Sequence, residues 1–83
     1  LQEGEIMSAN QERDVLTVSY SIPESIENAD ISLKSVVTGY GKAVMCESDG
    51  QVTFDLSNNE NGIYVIELRY DGVTIDTKKV IIK

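Results

Sequence analysis

The residues that could do chemistry in this chain are few, and the first gap is histidine, of which the 83 residues contain none. Without an imidazole the usual general base is missing, as are the Ser-His and Cys-His nucleophile pairs and the commonest metal ligand. The single cysteine, Cys46, lies between Met45 and Glu47, with no basic neighbour in sequence to favour its thiolate. It excludes an internal disulfide and reads as a half-buried structural thiol, because free cysteine is among the most buried residue types. Acid–base work would fall to carboxylate pairs, Glu47 with Asp49 or Asp71 with Asp76. A working pair needs burial and a shifted pKa, whereas these four are expected at turns or on exposed strand faces. Asn58, Asn59, Glu60 and Asn61 place oxygen donors in one loop. Ca²⁺ takes six or more oxygens in a fixed constellation, and the spaced aspartates of a Ca²⁺ motif are lacking, so an Asx-rich turn accounts for the loop. The expectation is a chain without catalytic, metal-binding or cofactor-binding residues, and not an enzyme.

Charge narrows the partners. The formal net charge is −7, and the seven basic residues are scattered singly or in pairs. That argues against nucleic acid, which rewards a basic stripe, and against docking on an anionic membrane surface. No apolar run is long enough to span a bilayer, so no membrane insertion is expected. Four Tyr and one Phe are too few for a stacking platform, and no Asn-x-Ser/Thr acceptor for glycosylation occurs. A protein partner is what remains. Residues 1–83 make one domain with a modest core. Opening on Leu1 rather than Met, the chain reads as a mature form or an excised piece.

The elements that must position these residues are strands. From Asn61 to Lys83 two long alternating runs flank Asp71-Gly72, the strongest short-range hairpin signal. Both central residues of a type I′ turn need positive φ, which Gly accepts freely and Asp tolerates. Pairing Tyr70 with Val73 sets Leu68 opposite Ile75, and Tyr64, Ile66, Leu68 and Tyr70 form the apolar face. Val80 and Ile82 fall on the other parity, which predicts a β-bulge near Thr77–Lys79 that keeps both lysines out. Such a hairpin needs a second layer.

The rest of the chain supplies it. Residues 1–12 read as a short edge strand around Glu5–Ser8 or a frayed arm. Asp14–Ile22 is a clear strand with Leu16, Val18, Tyr20 and Ile22 on one face, ended by Pro23. The loop Pro23–Asn28 is expected to fold Ile26 back under the sheets. Ala29–Thr38 is the next strand, with Ala29, Ile31, Leu33 and Val37 inward. Gly39–Lys42 is a turn and Ala43–Glu47 a short strand. Asp49-Gly50 predicts a second hairpin that sets Glu47 opposite Val52 and Met45 opposite Phe54, within a strand over Gln51–Leu56. Tyr64, at the start of its strand, is expected to pack in the core with its hydroxyl reaching back to the preceding loop, as in a tyrosine corner. Tyr40, between two glycines, is the expected exposed aromatic. Six strands and a seventh at the N-terminus, with turns at regular spacing, predict an all-β, immunoglobulin-like two-sheet antiparallel sandwich. A small barrel is the alternative.

Several segments carry a resemblance. Val-Ser-Tyr-Ser-Ile-Pro-Glu (Val18–Glu24), Ala-Asp-Ile-Ser-Leu (Ala29–Leu33), Gly-Lys-Ala-Val (Gly41–Val44), Phe-Asp-Leu-Ser (Phe54–Ser57), Gly-Ile-Tyr (Gly62–Tyr64) and the lysine-rich run to Lys83 together resemble the C-terminal sorting domain of type IX secretion cargo, found on exported proteins of the Bacteroidota. The resemblance covers about residues 15–83; the stretch between Lys42 and Gln51 is only loosely similar, and the family's usual opening Pro-Asn-Pro segment is absent. It implies a small Ig-like sandwich recognised by the secretion machinery and an exported protein, periplasmic, cell-surface or extracellular. Carried over residue by residue, it makes Gly41, Lys42, Gly62, Tyr64, Lys79 and Lys83 the recognition motif. Two function classes follow: a sorting module that acts by being recognised, with its last strand exposed for docking, or a small secreted binding module for a protein or glycan that uses its loops or a strand edge.

Overall fold

The structure, a computed structural model, describes residues 4–23, 28–46 and 50–83. Among the described residues there are seven strands and no helix: β1 (Glu5–Glu12), β2 (Val15–Ser21), β3 (Ala29–Ser35), β4 (Gly41–Met45), β5 (Gln51–Asp55), β6 (Gly62–Tyr70) and β7 (Val73–Ile82). They form two antiparallel sheets, a three-stranded one in the order β1-β2-β5 and a four-stranded one in the order β4-β3-β6-β7. This is the expected immunoglobulin-like sandwich, with the fourth strand placed beside the third. Alternation does the folding. Leu16, Val18, Val52 and Phe54 point inward from the first sheet and meet Ile31, Leu33, Ile66 and Leu68 from the second, all buried.

The β6–β7 hairpin forms at Asp71-Gly72 as expected. Tyr70 pairs with Val73, and φ is 54° at Asp71 and 80° at Gly72. The bulge lies earlier than expected. Leu68 faces Asp76 and Arg69 faces Thr74, so the extra residue is Ile75 rather than one of Thr77–Lys79. The reset therefore precedes both lysines. Lys78 stands opposite Ile66 on the core-facing side of the edge strand and Lys79 opposite Val65 on the outer side, and both remain exposed. Ile75 packs partly against the core.

Other boundaries moved for local reasons. β1 runs to Glu12 and closes a hairpin with β2 across Arg13-Asp14, with Arg13 at φ 58°. β3 stops at Ser35, because Ser35 organises a turn: its hydroxyl accepts from the Thr38 amide and its carbonyl accepts from the Gly39 amide. Val37 consequently points outward, 82% exposed, instead of joining the core. β4 begins at Gly41, two residues before the expected start at Ala43.

The predicted β4–β5 hairpin does not form. β4 pairs with β3 and β5 with β2, so the two lie in different sheets. Their parity explains it. The core-facing residues of β4 are Lys42 and Val44, opposite Leu33 and Ile31, whereas Met45 faces outward opposite Asp30. A local hairpin with Met45 against Phe54 would have turned the strand's faces around, which a one-residue slip does to every side chain. Glu47, Asp49 and the expected fold-back of Ile26 lie outside the described residues.

Candidate recognition surface

The residues of the carried-over motif fall into two groups. Tyr64 is 4% exposed in the core, and its hydroxyl donates to the Glu60 carbonyl at 2.6 Å, the predicted corner. Gly62, which opens β6, has φ 147°, where a side chain is strained. Gly41 is small for another reason: a Cβ there would sit 3.0 Å from the Leu33 carbonyl oxygen. Lys42 is a charged residue on the core-facing side of an edge strand. Its stem lies along the sheet and its ammonium leaves through the gap between the sheets, donating to the Asp55 carbonyl and, at 3.5 Å, to Asn59 Oδ1. Tyr64 and Lys42 thus tie down the loop 56–61 from two sides. Lys83 is held through its backbone: its amide donates to Gln11 Oε1 at 3.0 Å and its carbonyl accepts from Gln11 Nε2 at 2.8 Å. Lys79 differs from the rest in pointing outward from β7.

Among the described residues, Lys42 is one of three polar side chains that close the open seams of the sandwich. On β1, Gln11 faces the core side opposite Leu16 and reaches Lys83. On β7, Asp76 faces the core side opposite Leu68, and its Oδ2 accepts from the Ile6 amide at 2.7 Å. Inward-pointing polar groups on edge strands also discourage pairing with another chain. Sequence reasoning missed Gln11 and expected Asp76 at a turn or on an exposed strand face rather than in a seam. The bulge at Ile75 decides which way Asp76 faces, and nothing in its type reveals that.

Cys46 is half-buried and free. Burial pushes its thiol up, with a hydrogen bond from the Tyr20 side chain opposing and the Asp30 charge adding. A thiol held protonated is a poor nucleophile. Of the weighed carboxylate pair, Asp71 is an exposed turn residue, while Asp76 is bonded to the Ile6 and Thr77 amides. Tyr40 is 61% exposed, as expected, and borders a hollow of about 250 Å³ with Thr38, Asn58, Asn59, Glu60 and Tyr64.

The site thus belongs to a class of small β-sandwich in which polar residues lock the sheets together and a sheet face stays open. The chain matches the family of secretion system C-terminal sorting domains over residues 10–83, and it belongs to that family. No curated protein matches it. The domain is a type IX secretion sorting domain of an exported protein, whose partner is the secretion machinery. No helix among the described residues is long and apolar enough to cross a membrane.

Proposed function

We propose that this domain has no catalytic role of its own and acts solely by protein recognition, delivering the polypeptide that carries it to the cell surface or the medium. The observation that carries this reading is the extent of the family match, which takes in six complete strands and the end of β1. A signal read as a folded surface needs the whole sandwich, since no single hairpin buries enough apolar area to stand alone. In this reading Gly41, Lys42, Gly62 and Tyr64 maintain the recognised shape, and Lys79 contributes to the surface itself. Catalysis would require a polar group tuned for it, and the one free thiol is shifted away from reactivity.

The test is an export assay. Residues 1–83 are fused behind a periplasmic reporter in a host with type IX machinery. The reporter should reach the medium or the cell surface. Retention of a fusion that is demonstrably folded would overturn the sorting role and return attention to a free-standing binding module, for which the hollow beside Tyr40 is the first place to look.

A further inference from the structure

The two outer faces of the sandwich are chemically unlike. On the three-stranded sheet the outward rows are Ser8, Ser19 and Gln51, then Asn10, Thr17 and Thr53, then Glu12, Val15 and Asp55. Those rows carry hydroxyls, amides and carboxylates, with one exposed apolar residue, Val15, and no cation. On the four-stranded sheet one continuous row runs Gly41, Lys34, Val65, Lys79 across all four strands. Neighbouring strands are about 4.8 Å apart, which sets the two lysine Cα atoms roughly 10 Å apart with Val65 between them. Among the described residues neither lysine forms an ion pair. The adjoining row pairs Ile63 with Ile81, 41% and 63% exposed, and the Ile63 carbonyl accepts from the amide of exposed Val36. Beside Lys34, a shallow depression of about 390 Å³ is lined by the small residues Ser32, Gly41 and Ala43, with Arg69 at its far side.

We propose that this outer face of the four-stranded sheet docks a protein whose contact surface is apolar and rimmed by carboxylates. The inference rests on reading the domain as a recognition module, and adds the face used and the chemistry of what it meets. Complementarity carries it. Exposed apolar side chains cluster here beside two unpaired ammonium groups, on a chain whose formal net charge is −7. Apolar contact supplies the affinity and the lysines the register and steering. An anionic polysaccharide would satisfy the lysines but leave Ile63, Ile81 and Val36 in water. An anionic membrane is repelled by the rest of the molecule.

The experiment places a benzophenone photo-crosslinking residue at position 81, or at position 53 on the other face, of the reporter fusion in a type IX host. Both are combined with K34E/K79E or with K34R/K79R, and the fusion labelled at position 81 is also combined with S19E/T53E as the matched change on the opposite face. Position 81 should crosslink to a protein component of the secretion machinery and position 53 should not. K34E/K79E should reduce both that crosslink and export by about tenfold or more, since like charges in a contact cost several kcal/mol, with Tm unchanged. K34R/K79R should retain both, and S19E/T53E should have no effect. Crosslinking from position 53 instead, crosslinks only to a second copy of the chain or to lipid or polysaccharide, or indifference to K34E/K79E would overturn the proposal while normal export leaves the sorting role standing. If the unmodified fusion is retained, the sorting role fails separately. The docking face then survives only if position 81 still crosslinks to a protein with an acid-rimmed apolar surface and K34E/K79E abolishes that crosslink.

Discussion

Tyr64 and Lys79 lie on neighbouring strands, one residue out of register with each other, on opposite sides of the same sheet. The resemblance to sorting domains carries both into one motif, yet they are placed to do different work. Tyr64 spends its ring in the core and its hydroxyl on the Glu60 carbonyl. Lys79 has no ion-pair partner among the described residues and projects from the open face beside Val65. A residue can belong to a recognition signal because it is touched or because it holds the touched surface in shape. The side of the sheet separates the two cases. Substitutions on the core side should lower stability and export together, and substitutions on the outer side should lower export alone.

The strongest way to break that division is Tyr64→Ala. Truncating a buried aromatic costs about 3–5 kcal/mol, so both Tm and export should fall steeply. A change near zero in urea unfolding would remove Tyr64 from the core. Tyr64→Phe isolates the hydroxyl and should cost about 1 kcal/mol, the net value of an ordinary hydrogen bond. Next in size is Asp76→Ala. It strips the Ile6 amide of its carboxylate partner in a partly buried seam, and leaving such a donor unpaired costs about 1–3 kcal/mol. The accompanying loosening of β1 should appear as faster hydrogen exchange at Ile6. Protection equal to wild type would show that the seam does not depend on Asp76.

The smallest effect concerns acid. The backbone amide of Ser57 donates to the Asp55 carboxylate, which holds its pKa below the usual carboxylate value. A carboxylate depressed in the folded state stabilises the fold above its ordinary range, and that contribution disappears as pH falls through the lowered value. Asp55→Asn should therefore slightly flatten the acid limb of Tm against pH while leaving neutral export intact. An unchanged acid limb would mean that the interaction is too exposed to register.

Much of this molecule was legible along the chain. Period-two alternation located most of the strands, although β3 and β4 had shifted ends, and Asp71-Gly72 located the last turn with its pairing. Gly-Ile-Tyr announced the tyrosine corner. The Arg13-Asp14 hairpin escaped notice because Arg-Asp is not a turn signature, and it forms because β1 can lay Ile6 against the core. The Asp49-Gly50 signal pointed to a hairpin that does not exist. An Asp-Gly pair permits a tight reversal, but partner choice is settled by where the apolar faces of the flanking strands can be buried.

What the sequence by itself determined is the set of strands, the side of each that must be apolar, and the kinship of the chain. Those follow from local geometry, since side chains alternate along any strand regardless of its neighbours. Only the tertiary structure decided which strand sits beside which, where the bulge at Ile75 resets the last strand, and hence that Asp76 and Lys42 close seams while Lys34 and Lys79 share an open row. Rows across a sheet join residues far apart in the chain, and their register is set by packing between sheets rather than by anything adjacent in sequence.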